Sequence, residues 1–278
     1  GVFYWFLERK IDIMNNIILY MGGVRTVEFK NIIEKNIKIG DIPTLIFTPK
    51  EEIGYFPTIV FYHGWSSSKA AQRFRGFILC SLGYQVIIPD SIYHGERNAL
   101  HNYNQQSAVK YFWNIILKNI DEANEIIDYA INSLNSDSER IGVAGHSMGG
   151  FTTAGVFTKI PNIKASVVFN GSFNWEQSNI IFKESLEGFG EPAMEIQEKI
   201  DKFDPMNHLD KLVDRPVLML NGGSDMVVNP NPQRKFYEKI LPLYKDKSRV
   251  RFVEYPYLNH FVTTNMMEEA CIWFNKYL

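Results

Sequence analysis

Arg140-Ile141-Gly142-Val143-Ala144-Gly145-His146-Ser147-Met148-Gly149-Gly150-Phe151 is the stretch on which the fold turns. Arg140–Ala144 reads as a short buried strand and Phe151–Thr158 as a helix, so the residues between them must make a sharp strand-to-helix turn. In Gly145-x-Ser147-x-Gly149 the two glycines flank a serine at a spacing that lets the backbone close tightly around it. Composition alone would put this pattern in roughly one chain in ten of this length. The strand before it and the helix after it separate this copy from a Gly-rich turn with an incidental Ser.

Working outward, the same alternation of strand and helix fills the chain. Upstream, Val24–Lys30 and Ile37–Phe47 read as an opening antiparallel pair of strands. Thr58–Tyr62 is an apolar strand ending at His63-Gly64. Ala70–Leu82 is a helix stopped by Gly83, and Gln85–Ile88 is a strand ending at Pro89-Asp90. Phe112, Ile116, Ile120, Ala123, Ile127, Ala130 and Leu134 recur at helical spacing, with a turn at Asn135–Ser138. Downstream, Ala165–Asn170, Pro216–Asn221 and Arg249–Tyr255 are strands, and Met266–Leu278 closes as a helix. Buried β-branched strands separated by helices predict an α/β fold with a mostly parallel eight-stranded sheet covered on both faces. Residues 24–278 form one domain, interrupted between the sixth and seventh strands by a helical insertion, a cap, at Ser172–Leu212. Residues 1–23 stand apart as an N-terminal extension. It is either an arm on a neighbouring subunit, which would make a homodimer, or a helix packed on its own domain, and Met14 is an alternative start.

The gross properties narrow the function classes. The chain has 278 residues, 45% hydrophobic and 22% charged, with net charge −2. Such a chain buries a sizeable core and offers no basic surface for nucleic acid or anionic membrane. No apolar run approaches the ~18 residues of a membrane span, and the apolar Val2–Leu7 has its charges after it, unlike a secretory signal. Cys80 and Cys271 are far apart in apolar helical contexts and read as two free thiols in a reducing cytoplasm, with one long-range disulfide as the alternative.

Chemistry concentrates at the predicted strand ends. Ser147 is the candidate nucleophile, Asp225 follows the Pro216–Asn221 strand, and His260 follows the last strand. Alone, Asp225 is a turn residue and His260 a loop histidine. The order Ser, Asp, His along the chain makes them a candidate triad, because a neutral hydroxyl needs a base held in one tautomer. The backbone N–H groups of Trp65 and Met148 are placed to form an oxyanion hole. His63, His94, Arg97 and His146 are candidates for substrate contact or for support of the site. Arg97 would meet a carboxylate, Asp90, or the substrate. His63 and His146 read as structural, and His101 and His208 as solvent-facing. The sequence has no His-Glu-x-x-His, no Cys-x-x-Cys and no phosphate loop with Lys, so no metal or organic cofactor is expected.

Tyr62-His63-Gly64-Trp65-Ser66-Ser67-Ser68, Asp90 with His94-Gly95-Glu96-Arg97, Gly145–Gly150, Asp204-Pro205, Arg215-Pro216-Val217-Leu218, Asp225 and His260 together resemble small bacterial carboxylesterases of the dienelactone-hydrolase and prolyl-oligopeptidase-like branch of the α/β-hydrolases. The resemblance runs from about Ile37 to Leu278. It implies the α/β-hydrolase fold, a Ser147–Asp225–His260 triad and the Trp65/Met148 oxyanion donors. The chain departs from the peptidases in having no room for a propeller, and from the dienelactone hydrolases in having Ser where they have Cys. Both departures favour a small-molecule ester, of short acyl chain if the apolar insertion roofs the site. A peptidase or acyltransferase with the same triad, or a silent binding protein on this fold, are the other readings.

Overall fold

The computed structural model describes residues 29–50, 54–185 and 194–278, and Asn31–Leu278 form one compact unit. Eight strands lie in the order β1-β2-β4-β3-β5-β6-β7-β8. They are β1 (Ile32–Ile39), β2 (Ile42–Pro49), β3 (Phe56–Tyr62), β4 (Gln85–Pro89), β5 (Ser136–His146), β6 (Ala165–Phe169), β7 (Val217–Gly222) and β8 (Val250–Tyr255). The pairs β1/β2 and β2/β4 are antiparallel and the remaining five are parallel, so the sheet is mixed at one edge. Every residue of β4, β6 and β7 is buried, which requires cover on both faces and explains why these strands read as unbroken apolar runs.

The opening hairpin differs from expectation. Ile37–Phe47 is not one strand, because Gly40-Asp41 makes a two-residue turn with Gly40 at φ +53, and β1 is buried only at its ends, Ile32 and Ile39, and half-buried or exposed between, as suits an edge strand. Of the expected Val24–Lys30 strand, residues 24–28 lie outside the described residues, and Phe29 and Lys30 are not in a strand. β5 also starts earlier than Arg140. The turn is made by Asn135 alone (φ +55), and Ser136 joins the sheet, its hydroxyl meeting Thr58 and Gln85 at 2.8 Å. The N-terminal extension of residues 1–23 lies outside the described residues.

The helices are α1 (Arg73–Cys80), α2 (Gln105–Ser133), α3 (Met148–Lys159), α4 (Trp175–Ser185), α5 (Met194–Phe203), α6 (Asn231–Ile240) and α7 (Thr264–Tyr277). α2 begins seven residues before the first expected apolar position, capped by the Asn104 side chain on the Ser107 N–H at 2.9 Å. α6 was not foreseen. Its polar face dominates its sequence, and only Pro232, Gln233, Phe236 and Ile240 are buried.

The insertion contributes α4 and α5. Trp175 is wholly buried, and a Cβ at Gly155 on α3 would come within 2.7 Å of its ring, so the glycine lets α4 dock closely. Asp204 fixes the start of α4 from a distance, accepting the Trp175 and Glu176 amides at 3.1 and 2.7 Å and the Met206 amide at 2.9 Å. Of the apolar residues in the insertion, Phe173 and Trp175 belong to the core, Phe182 is half-buried and Ile180 is half exposed. Leu186 and Phe189, and the side chain of Met194, lie outside the described residues.

Candidate active site

β5 runs into α3 through Ser147, whose backbone sits at φ 58, ψ −121. A residue with a side chain is strained there by roughly 1–3 kcal/mol, and the neighbours show what holds it. A Cβ at Gly145 would lie 2.1 Å from the Gly149 carbonyl oxygen, and a Cβ at Gly149 would lie 2.1 Å from that of Tyr62. The Ser147 amide donates to Phe169 O at 2.9 Å, tying the turn to β6.

The structure brings three predicted residues from separate strand ends into one line. His260 Nε2 lies 2.9 Å from Ser147 Oγ, and His260 Nδ1 lies 2.6 Å from Asp225 Oδ2. The other Asp225 oxygen accepts the Val227 and Val228 amides at 2.8 and 2.9 Å, which aims the carboxylate. With Asp225 as acceptor, Nδ1 carries the proton and Nε2 faces the hydroxyl as a base.

Two asparagines that sequence reasoning missed hold this geometry. Asn259 Oδ1 accepts the His260 and Met226 amides at 2.8 and 3.0 Å, joining the His260 loop to the Asp225 loop. Buried Asn170 at the end of β6 accepts the Gly222 amide at 2.8 Å and donates to Phe261 O at 3.0 Å. Its φ of 44 suits Asn, and its place at the C-terminal end of a buried parallel strand was the available signal.

The Trp65 and Met148 amides have no protein acceptor among the described residues, and Gly64 lies against Ser147, where a Cβ would be 3.3 Å from Ser147 Cβ. The loop after β4 clamps the Trp65 segment. His94 Nε2 accepts the Ser66 amide at 3.2 Å while its Nδ1 donates to Ile92 O at 3.1 Å. His63 Nε2 accepts the Ser91 amide at 3.0 Å and its Nδ1 donates to Gly64 O at 2.8 Å. Asp90 accepts the Lys69 amide at 2.8 Å and the Lys69 ammonium at 3.2 Å, and Lys69 also pairs with Glu96. Of the two readings open for Arg97, a carboxylate or the substrate, the structure shows a carboxylate, but not that of Asp90. Arg97 instead makes a fork with Glu122 on α2 at 2.8 and 2.9 Å and reaches only the Asp90 backbone carbonyl, because Lys69 already occupies the carboxylate.

Both clamping histidines are held neutral. Burial, reinforced by His63, takes His94 down to about 3, and burial lowers His63 as well. Unfolding returns each ring to its ordinary value near 6.5, so below that pH the unfolded chain takes up protons that the folded chain refuses. Stability is therefore expected to fall as pH drops from about 6.5 towards 3, and His94→Gln should flatten that slope in denaturant titrations across this range. An unchanged slope would mean that other groups set the acid limit.

A cavity of about 190 Å³ opens beside Ser147. Trp65, Phe112 and Trp113 of α2, Phe182 of α4 and the Val227-Val228 pair after Asp225 form its walls. Among the described residues no group of three His, Cys, Asp or Glu is arranged to hold a metal ion.

With the geometry in hand, the chain can be set beside known proteins. The model of the prolyl oligopeptidase family matches residues 72–278. The chain belongs to the prolyl oligopeptidase family. "Putative esterase YitV" of Bacillus subtilis (strain 168) is 30% identical to it over 257 residues, covering 88% of this chain and 98% of that protein. "Esterase YjfP" of Escherichia coli (strain K12) is 26% identical over 250 residues, covering 87% and 97%. The crystal structure of TT1662 from Thermus thermophilus matches with a TM-score of 0.73 at 16% identity, covering 88% of this chain and 97% of that one, a likeness of fold. This member of the prolyl oligopeptidase family is thus an α/β-hydrolase and a hydrolytic enzyme.

The remaining histidines of this family member fall as follows. His146 packs its ring 4.9 Å from that of His260, its Nε2 buried without a hydrogen bond, and burial together with His260 keeps it well below the ordinary imidazole range. His101 is exposed. His208 was expected to face solvent without a partner, but it is half-buried and donates Nε2–H to Lys202 O at 2.8 Å, because the 3₁₀ turn after Asp204 folds it back on α5.

Proposed function

We propose that the enzyme hydrolyses carboxylic esters through an acyl-enzyme on Ser147. The observation that carries this reading is the continuous Ser147–His260–Asp225 line at 2.9 and 2.6 Å. Ser147 Oγ attacks the ester carbonyl as His260 Nε2 takes its proton, and Asp225 stabilises the imidazolium. The Trp65 and Met148 amides hold the oxyanion, aided by the positive end of α3. His260 returns the proton to the leaving alcohol, and a water repeats the sequence to free the acid. The naming of both YitV and YjfP as esterases favours ester over peptide. The free thiols Cys80 and Cys271, the former pushed up to about 12 by burial, suit a reducing cytoplasm.

The small apolar cavity beside Ser147 supports a short acyl chain. Each methylene that fits adds about 0.8 kcal/mol of burial, and one that does not costs strain instead. Rates on linear p-nitrophenyl esters are expected to peak from acetyl to butyryl and to fall sharply by octanoyl. A profile rising to long chains would mean that α4 forms a movable lid. Little ester turnover, beside cleavage of aminoacyl amides, would favour a peptidase.

A further inference from the structure

The walls of the cavity say more than its size. Phe112 is the centre of an interlocked aromatic set, with Trp113 at 5.6 Å and 85°, Phe182 at 5.5 Å and 80°, and Trp65 at 6.3 Å. Trp65 is pinned further by its Nε1–H on Tyr103 O at 3.0 Å, and Trp113 by its Nε1–H on Asn179 Oδ1 at 2.8 Å. The polar groups of the far wall are turned to the protein. Asn179 Nδ2 and the Lys183 ammonium both donate to Gln197, at 2.9 and 3.1 Å. The ligand therefore meets four rings in fixed positions beside the aliphatic Ala108, Val109, Val227 and Val228, with the Lys183 ammonium of the lining engaged by Gln197 and, among the described residues, no carboxylate in the lining.

Volume and placement fix the rest. An apolar cavity of roughly 150 Å³ holds one benzene, so about 190 Å³ takes a ring with a short linker. Ser147 and Trp65 border the cavity, whereas His260, which hands its proton to the leaving alcohol, does not, so the space lies on the acyl side.

Building on the ester reading, we infer that the preferred acyl group is an uncharged aryl group one or two methylenes from the scissile carbonyl, as in arylacetyl and 3-arylpropionyl esters. A linear chain of equal volume would have to coil to fill the same space. A saturated ring would fill it without the quadrupole match that edge-to-face contacts give, each worth roughly two- to tenfold.

The test compares kcat/KM for methyl phenylacetate, methyl cyclohexylacetate and methyl hexanoate, together with calorimetric binding of the phenylacetate and cyclohexylacetate anions. The phenyl ester is expected to lead the cyclohexyl ester by about tenfold or more, and Phe112→Leu or Phe182→Leu should each bring that ratio towards one. Equal or faster turnover of the cyclohexyl or hexanoyl ester would overturn the inference while leaving ester hydrolysis standing. If no ester is cleaved, the ester reading fails, and the binding comparison still decides: tighter phenylacetate supports the aromatic site, and equal or weaker binding rejects it.

Discussion

Ser147→Ala is expected to fold as the parent does and to lose turnover by about 10⁶. The backbone at this position is set by Gly145, Gly149 and the Ser147 amide on Phe169 O, none of which needs the hydroxyl, so the elbow should survive the change. Among the described residues the hydroxyl has one hydrogen-bond partner, His260 Nε2 at 2.9 Å, so its loss removes the proposed nucleophile and leaves His260 and Asp225 in place. Circular dichroism and melting should match the parent, while hydrolysis and covalent labelling by a fluorophosphonate disappear. Near-parental hydrolysis from purified Ser147→Ala would refute the assignment.

Asp225→Asn comes next in size, at about 10⁴ in kcat. An amide at this position offers an N–H to one side and an oxygen to the other, and the Val227 and Val228 amides claim the oxygen. The N–H then faces His260 Nδ1 and selects the tautomer with the proton on Nε2, which cannot take another from Ser147. Asp90→Asn is the contrast. It leaves the Lys69 ammonium, whose side chain is 5% exposed, with only the exposed Glu96, and breaking such a buried pair costs on the order of 3 kcal/mol. Its main effect should be on the melting point, with a far smaller loss of turnover. A reversed ranking of the two variants in kcat would move the acid to the loop after β4.

What could be read in the sequence follows from what is local. Strands buried on both faces, such as Ala165–Phe169 and Val217–Gly222, carry their signal in every residue, and the Gly-x-Ser-x-Gly turn carries its own in three. The opening hairpin was misread because apolar residues on both sides of Gly40-Asp41 hid the turn. α6 was missed because only a few of its residues face the core. The partner of Arg97 stayed open because two acids compete for two cations, and Glu122 is the one it meets. Which one Asp90 meets depends on Lys69 reaching it from the oxyanion loop, a contact between loops far apart in the chain. For Asn170 the strand end was the one signal and Asn259 had none, since a buried asparagine and a turn asparagine look alike until the loops they join are side by side.

His260 follows β8, among the described residues the outermost strand at its end of the sheet, and the strand is only partly covered, whereas β7 beside it is wholly buried. Opening free energy scales with such cover, so the edge can come away at a lower free energy than the sheet as a whole. Asp225 and Ser147 hang on the protected interior strands and His260 on the partly covered margin. His260 is therefore governed by local rather than global unfolding, and on the proposed mechanism heat should silence the enzyme while most of its structure is still intact.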